Sequence, residues 1–141
     1  MTRLYTAEAT AYGPRTGTVV SSDDRLDLEL SRPAEMGGDG GPGTNPEQMF
    51  AAGYAACFHS AMRYGVKELG LAADSLQGAY VTARVHFDKS GATDFDLAVD
   101  LLAHAPKLDA EQTRAVMEKT HTICPYSRAT RGNVDVRLEV V

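Results

Sequence analysis

The segment from Thr44 to Leu69 constrains the fold more than any other part of the chain, because it predicts one long helix. Asn45 suits the N-cap and Pro46 the first helical position, while Gly70 suits the position just past the helix end. From Phe50 to Met62 this segment is apolar nearly all round. A helix of that kind belongs inside a core, so the rest of the chain must supply the elements that cover it.

Short strands are predicted on the N-terminal side of this helix and longer ones on its C-terminal side. Strand composition and alternation indicate strands over residues 4–10, 18–21 and 26–30, then over about 76–88, 94–104 and 134–141. Residues 32–44 form a glycine-rich loop, but no lysine follows to neutralise a phosphate, so the phosphate-binding loop pattern fails. We therefore interpret that stretch as a connection or a lid.

A second helix is predicted to begin at Asp109, with Gln112 as its partner in a capping box. It should end near Cys124, because Pro125 disfavours helical geometry in the residue before it. Strand hairpins separated by single helices predict an α+β fold, with antiparallel sheets packed around two long helices. Nothing divides the chain, so we expect one domain over residues 1–141.

Composition excludes several classes of partner. The formal net charge of the 141 residues is −5, so no basic field attracts nucleic acid. No stretch approaches the ~20 apolar residues of a membrane span, and the first residues lack an apolar signal segment. We therefore expect a cytoplasmic protein, where paired cysteines are more often catalytic or sensing than structural.

Cys57 and Cys124 are the only cysteines, and they are the main candidates for chemistry. If the fold brings them together, one thiol can act as a nucleophile and the other can trap it as a disulfide. The reactive species is the thiolate, and apolar surroundings raise a thiol pKa, so Cys57 needs a cation nearby. The ordinary alternative is a pair of inert, buried thiols.

Arg15 is a candidate for that cation, because it lies in a Gly-Pro-Arg-Thr-Gly turn where loops present functional groups. Glu47, at the start of the long helix, has the carboxylate geometry to hold an arginine by two hydrogen bonds. The alternative is that Arg15 is a solvated turn residue and that Glu47 is an acid favoured at a helix start.

Histidines offer rival sites. Cys57 and Cys124 with His59 and His121 have the composition of a Cys₂His₂ zinc site. Residues 57 and 59, however, point roughly 200° apart around a helix. The His59-Ser60 pair is a similarly weak hydrolase pattern, since neighbouring helical residues diverge. His86 and His104 fall in predicted strands and are interpreted as structural or solvent-facing residues.

Three stretches of the sequence together resemble the organic hydroperoxide resistance branch of the Ohr/OsmC family. They are residues 13–17 with the Ser-Ser-Asp at 21–23, residues 43–58, which read GTNPEQMFAAGYAACF, and residues 121–133 around Cys-Pro-Tyr-Ser. The resemblance spans essentially the whole chain. It implies a thiol peroxidase that reduces organic hydroperoxides to alcohols without metal, haem or other cofactor, in an intertwined homodimer of α+β subunits.

The resemblance also implies a role for each site residue. Cys57 aligns with the peroxidatic cysteine, Cys124 with the resolving cysteine, Arg15 with the activating arginine and Glu47 with the glutamate that positions it. The reductant it implies is a dithiol, typically a protein-bound dihydrolipoyl group. The apolar residues expected to line a pocket for the alkyl chain, unless they are ordinary core residues, are Met49, Phe50, Phe58 and Tyr126.

Helix geometry sets one condition on this site. Ten residues of straight helix cover about 15 Å, too far for Glu47 and Cys57 to meet directly. We therefore expect that Arg15 bridges them, that the helix bends near Gly53, or that the two come from different subunits. Two alternatives to an enzyme remain at this point: a non-catalytic small-molecule binding protein of the same fold, and a zinc-stabilised structural domain.

Overall fold

A computed structural model describes all residues from Met1 to Val141. The chain divides into two compact units, Met1–Met49 and Phe50–Val141. Six strands and three α-helices follow one another, with a 3-10 helix at Ala34–Met36. In chain order they are β1 (Ala9–Tyr12), β2 (Thr18–Ser21), β3 (Asp27–Glu29), α1 (Pro46–Glu68), β4 (Tyr80–Lys89), β5 (Phe95–His104), α2 (Ala110–Ile123), α3 (Pro125–Thr130) and β6 (Asp135–Val140). The single domain over residues 1–141 stays a prediction.

The N-terminal unit contains a three-stranded antiparallel sheet in the order β1-β2-β3. The strand predicted over residues 4–10 is wrong in its bounds, because β1 occupies Ala9–Tyr12. The reason is the tight turn at residues 13–17, where the Gly17 N–H donates to the Pro14 carbonyl at 2.9 Å. Pairing begins beside that turn, and the strand ends where Ala9 faces Ser21, beyond which the Ser22 N–H donates to the Glu8 carbonyl at 2.9 Å.

The C-terminal unit contains a second three-stranded sheet in the order β4-β5-β6. Strands β4 and β5 form the predicted antiparallel hairpin, with β4 beginning at Tyr80 because a turn joins Ala79 to Leu76. The prediction of purely antiparallel sheets is wrong here, since β6 pairs with β5 in parallel. The two helices between them form the crossover that a parallel pair requires, returning the chain to the start of β5.

The predicted long helix is confirmed as α1. The Asn45 side chain accepts a hydrogen bond from the Gln48 N–H at 2.8 Å, and Gly70 follows the helix with a φ of +68°. Tyr54, Phe58, Met62 and their neighbours pack into one core with β5 and α2, whose buried members are Val99, Leu101, Ala103, Val116 and Met117. The expectation of burial all round is only partly met, because a stripe of small residues is exposed in this chain, namely Ala52, Ala56 and Ser60.

The second helix is also confirmed in its bounds, as α2. Asp109 accepts a hydrogen bond from the Gln112 N–H at 2.7 Å, and Gln112 accepts one from the Asp109 N–H at 3.1 Å. Cys124 follows with a ψ of 126° and ends the helix, as Pro125 predicts. The short α3 was not predicted, so the count of two helices is wrong. Proline stops one helix but also suits the first position of the next.

The crossing of α1 and α2 depends on Gly65. A Cβ built on Gly65 would lie 2.8 Å from Thr120 Oγ1 and 3.1 Å from the Val116 carbonyl oxygen. We expect Gly65→Ala to lower the free energy of unfolding by about 1–3 kcal/mol, because the helices must move apart. Urea unfolding followed by circular dichroism measures this.

The matched control is Ser60→Ala on the exposed stripe of the same helix, which should change stability by less than about 0.5 kcal/mol. A Gly65→Ala variant that is more stable than the parent, as expected for this change in an open helix, would contradict the close packing.

Candidate functional site

The two cysteine sulfurs lie against each other in the C-terminal unit. Cys57 is half-buried on α1, and Cys124 is completely buried between α2 and α3. The Cys124 thiol donates a hydrogen bond to the Cys57 sulfur, with the two Sγ atoms 3.5 Å apart. Both are free thiols. Because a disulfide bond is about 2.05 Å long, the sulfurs need to approach by roughly 1.5 Å to form one.

The surroundings of Cys57 act on its ionisation in opposite directions. Burial raises the pKa of the Cys57 thiol and is the largest cause. A hydrogen bond from the Tyr126 backbone N–H lowers the pKa, whereas the nearby Cys124 thiol raises it further. The net result is a pKa above the ordinary value, so Cys57 is a thiol at neutral pH unless a cation stabilises the thiolate.

Arg15 and Glu47 form a double hydrogen bond within the N-terminal unit. Arg15 Nη1 donates to Glu47 Oε2 at 2.8 Å, and Nη2 donates to Oε1 at 2.6 Å. Gly17 shapes the turn that carries Arg15, because a Cβ there would lie 2.0 Å from the Tyr12 carbonyl oxygen. Glu47 is the second residue of α1. The structure thus brings together two of the residues singled out in the sequence, in the planar geometry that arginine and carboxylate favour.

The Arg15–Glu47 pair shifts the ionisation of both partners. The hydrogen bond from Arg15 lowers the pKa of Glu47, and the same bond raises the pKa of Arg15. A carboxyl group with a lowered pKa stabilises the fold only while it is ionised. The contribution is therefore complete above the unfolded-state pKa and is lost as the pH falls through the lowered pKa of Glu47.

The predicted pocket residues separate into three kinds of position. Phe50 is half-buried and Tyr126 is 39% exposed, with their ring centroids 6.1 Å apart. Met49 is half-buried in the N-terminal unit. Phe58 has no exposed surface and belongs to the core, so it does not form the wall of an open pocket. Phe58 does not share the position of the Cys57 sulfur because it is the next residue, which points about 100° away around the helix.

Gly53 explains how Tyr126 reaches the helix surface beside Cys57. A Cβ at Gly53 would lie 2.9 Å from the Tyr126 hydroxyl oxygen and 3.2 Å from a carbon of its ring. The absence of a side chain at this position therefore lets the ring pack onto α1. Because residues 53 and 57 are one turn apart, the ring and the Cys57 sulfur share a face of the helix.

The rival histidine sites are not assembled. His59 Nε2 contacts the Ala79 carbonyl oxygen at 3.1 Å, and His121 Nδ1 contacts Ser127 Oγ at 2.8 Å. No group of three or more His, Cys, Asp or Glu side chains is arranged to hold a metal ion. In the strands, His86 contacts Asp100 at 3.0 Å and His104 contacts the Val141 carbonyl oxygen at 2.9 Å, as structural histidines do.

One open cavity of the C-terminal unit lies away from the cysteine site. It is a groove of about 940 Å³ along the second half of α1 and the loop that follows, and Cys57 does not line it. Neither cysteine lines this groove, so we assign no reaction to it. None of the helices combines the length and the apolar character needed to cross a membrane.

Sequence reasoning missed Tyr54 and Ser127, two completely buried residues next to the cysteines. The Tyr54 hydroxyl contacts Ser127 Oγ at 2.9 Å and Thr130 Oγ1 at 3.2 Å. Spacing carries the only signal for them, since Tyr54 precedes Cys57 by three residues and Ser127 follows Cys124 by three. That spacing marks a shared helix face, but it does not show which hydroxyl groups meet.

Known proteins share both the sequence and the fold. The family model for OsmC-like proteins matches residues 37–139. An organic hydroperoxide resistance protein of Xanthomonas axonopodis pv. citri is 47% identical over 140 residues, covering 96% of this chain and 93% of that protein. The solved structure of an organic hydroperoxide resistance protein from Legionella pneumophila matches with a TM-score of 0.89 at 44% identity, covering 99% of this chain and 98% of that one. That of OhrB from Bacillus subtilis has a TM-score of 0.86 at 39% identity, covering 99% and 100%.

Proposed function

Because this chain belongs to the OsmC-like protein family, we propose that it is a cysteine-dependent peroxidase that reduces organic hydroperoxides to alcohols. Three relatives of 39–47% identity are organic hydroperoxide resistance proteins by name. The observation that carries the proposal is the 3.5 Å contact between Cys124 Sγ and Cys57 Sγ. Two thiols at this distance, one half-exposed and one buried, suit a nucleophile and a partner that resolves its oxidised form.

The proposed reaction has three steps. The Cys57 thiolate attacks the terminal oxygen of the hydroperoxide, the O–O bond breaks, and the departing alkoxide takes up a proton to become the alcohol. Cys57 is then a sulfenic acid. The Cys124 thiol attacks its sulfur, the S–O bond breaks, and water leaves as the disulfide forms. An external dithiol reduces that disulfide by thiol–disulfide exchange and is itself oxidised.

In this proposal Arg15 supplies the positive charge that the first step needs. Burial raises the pKa of the Cys57 thiol, so a thiolate at neutral pH requires a compensating cation. The double hydrogen bond to Glu47 fixes the orientation of the Arg15 guanidinium. A guanidinium stays charged when partly buried, and it can also stabilise charge developing on the peroxide oxygens.

Organic rather than inorganic peroxides are the proposed substrates. Phe50 and Tyr126 present aromatic surface on the side of α1 that carries Cys57, and Met49 adds a flexible apolar side chain at the preceding position. Burying an alkyl chain stabilises binding by about 0.8 kcal/mol for each methylene. Hydrogen peroxide has no such group and gains nothing from this surface.

The remaining parts of the proposal concern partners. A dithiol of the dihydrolipoyl type is the proposed reductant, as the family resemblance implies. Any dithiol can return both cysteines to thiols by exchange while it forms its own disulfide. Such a reductant belongs in a reducing compartment, which agrees with the expected cytoplasmic location. An intertwined homodimer is the proposed assembly, as the family resemblance implies.

Titration with one equivalent of cumene hydroperoxide, followed by intact mass spectrometry, tests the proposal. The enzyme should lose two hydrogen atoms as Cys57 bonds to Cys124, and dihydrolipoamide should restore the original mass. A non-catalytic binding protein of the same fold would instead gain the mass of the ligand or stay unchanged. That result would refute the peroxidase proposal.

A further inference from the structure

We propose that four consecutive hydrogen bonds in the interior of the C-terminal unit hold Cys124 in position to attack the oxidised Cys57. This inference rests on the proposed function, and it adds positioning residues for the resolving step. We call the four side chains the hydroxyl chain; they are His121, Ser127, Tyr54 and Thr130.

The hydroxyl chain is continuous and almost entirely buried. His121 Nδ1 contacts Ser127 Oγ at 2.8 Å, and Ser127 Oγ contacts the Tyr54 hydroxyl oxygen at 2.9 Å. The Tyr54 hydroxyl contacts Thr130 Oγ1 at 3.2 Å, and Thr130 Oγ1 donates to the Ser127 backbone carbonyl at 3.1 Å. Tyr54 and Ser127 have no exposed surface and Thr130 has 3%. Breaking one link therefore leaves a buried polar group unpaired, which destabilises the arrangement.

The number of available protons fixes which group donates and which accepts at each link of the hydroxyl chain. It contains four hydrogen bonds, and the three hydroxyl groups supply one proton each. The fourth proton must come from His121 Nδ1, which donates to Ser127. Ser127 then donates to Tyr54, Tyr54 to Thr130, and Thr130 to the Ser127 carbonyl. Burial and the charge of Arg131 lower the pKa of His121, so at neutral pH this donor is the uncharged ring with its proton on Nδ1.

The hydroxyl chain joins three helices at the junction of α2 and α3. This junction, which we call the corner, holds Cys124. Tyr54 belongs to α1, His121 to α2, and Ser127 and Thr130 to α3. Helix α3 has only six residues, too few to be stable without tertiary contacts. Cys124 lies between α2 and α3, three residues from His121 and three from Ser127. Restraining those two side chains therefore restrains the cysteine between them.

The same contacts set the distance between the corner and Cys57. Tyr54 lies one turn before Cys57 on α1, so its hydroxyl group links the corner to the turn that precedes the reactive sulfur. Cys124 Sγ and the Tyr126 N–H both reach Cys57 from this corner. In the resolving step the Cys124 sulfur is oxidised, the sulfenic sulfur is reduced, and the thiol proton leaves with the hydroxyl group as water. The rate of that step depends on how often the Cys124 sulfur, the Cys57 sulfur and its departing oxygen lie in line.

Tyr54→Phe tests the inference, since it removes only the central oxygen atom. After one equivalent of cumene hydroperoxide, acid-quenched samples give the rates of sulfenic acid formation and of disulfide closure by mass spectrometry. We expect closure to slow at least tenfold while sulfenic acid formation changes by less than threefold. In a dithiothreitol redox buffer, the disulfide should become about tenfold easier to reduce, a potential about 30 mV less negative. Tyr64→Phe is the matched control, because its exposed hydroxyl on the same helix accepts only from Arg63, at 3.2 Å.

A second pair of variants keeps the test decisive if Tyr54→Phe does not fold. His121→Asn retains a donor near the position of Nδ1, whereas His121→Leu has a similar size and no donor. We expect the disulfide to form at nearly the parent rate in His121→Asn and at least tenfold more slowly in His121→Leu. A purely structural role predicts lower thermal stability with unchanged closure, and that outcome would overturn the inference, as would equal rates for the two His121 variants. If the parent chain forms no disulfide with peroxide, the proposed function fails, while the redox-buffer measurement still decides the positioning role.

Discussion

A Cys57→Ser variant is expected to show no reduction of organic hydroperoxides above the background of the assay, a loss of at least about 10³-fold. A serine hydroxyl is not ionised at neutral pH and is a far weaker nucleophile than a thiolate, so the first step does not occur. The measurement is consumption of cumene hydroperoxide with dihydrolipoamide as reductant. Circular dichroism should show an unchanged fold, because the two side chains differ by one atom.

Cys124→Ser is the matched comparison for this prediction. It keeps the nucleophile and removes the resolving thiol, so we expect one oxidation event per chain. The product should be a sulfenic acid, which excess peroxide converts to sulfinic acid and so inactivates the enzyme. Sustained turnover by Cys57→Ser would show that the reactive group lies elsewhere, and it would refute the mechanism whatever Cys124→Ser does.

Removing the Arg15 guanidinium is expected to have the second-largest effect. Arg15→Ala should slow the reaction of Cys57 with peroxide by about 10²–10³-fold, the usual cost of losing a group that stabilises developing charge. It should also move the pH profile of Cys57 alkylation by iodoacetamide to higher pH. Only the thiolate reacts with iodoacetamide. In the proposed mechanism Arg15 stabilises that thiolate, so removing the guanidinium raises the pKa of the thiol.

Two further substitutions separate the role of Arg15 from a general effect of charge. Arg15→Lys keeps the charge but cannot make both hydrogen bonds to Glu47, so it should recover only part of the rate. Arg25→Ala removes an exposed arginine from the same unit and should leave both measurements unchanged. An Arg15→Ala variant with the parent alkylation profile would show that another group stabilises the thiolate.

Elements determined by local chemistry were predictable from the sequence. The N-cap at Asn45 and the capping box at Asp109 are side-chain contacts within one turn, and both are present. The stop before Pro125 is also a local steric effect. The strand ends were less accurate, since the register of β1 depends on the turn that follows and not on its composition. The parallel direction of β6 could not be predicted from local sequence, because it depends on how α2 and α3 pack and return the chain to β5.

The candidate site divides in the same way. Cys57, Cys124, Arg15 and Glu47 were selected by residue type and family resemblance, and the structure shows a contact within each of the two pairs. Phe58 was assigned to the pocket because it is apolar and adjacent to Cys57, although adjacency on a helix points side chains apart. Tyr54 was overlooked, since a tyrosine in an apolar segment looks like a core residue until its hydroxyl partners are known.

Cys124 is the single residue between two helices, yet both of its backbone groups are hydrogen-bonded. Its N–H donates to the Thr120 carbonyl at 2.8 Å, and its carbonyl accepts from the Arg128 N–H at 3.0 Å. Its ψ of 126° ends α2 and allows the next residue to begin α3, so the backbone of the cysteine is anchored to a helix on each side. Rotation about the side-chain bond of Cys124 can move the sulfur without breaking either of these backbone hydrogen bonds. In the proposed redox cycle, the disulfide can therefore form and be reduced repeatedly while the secondary structure stays intact.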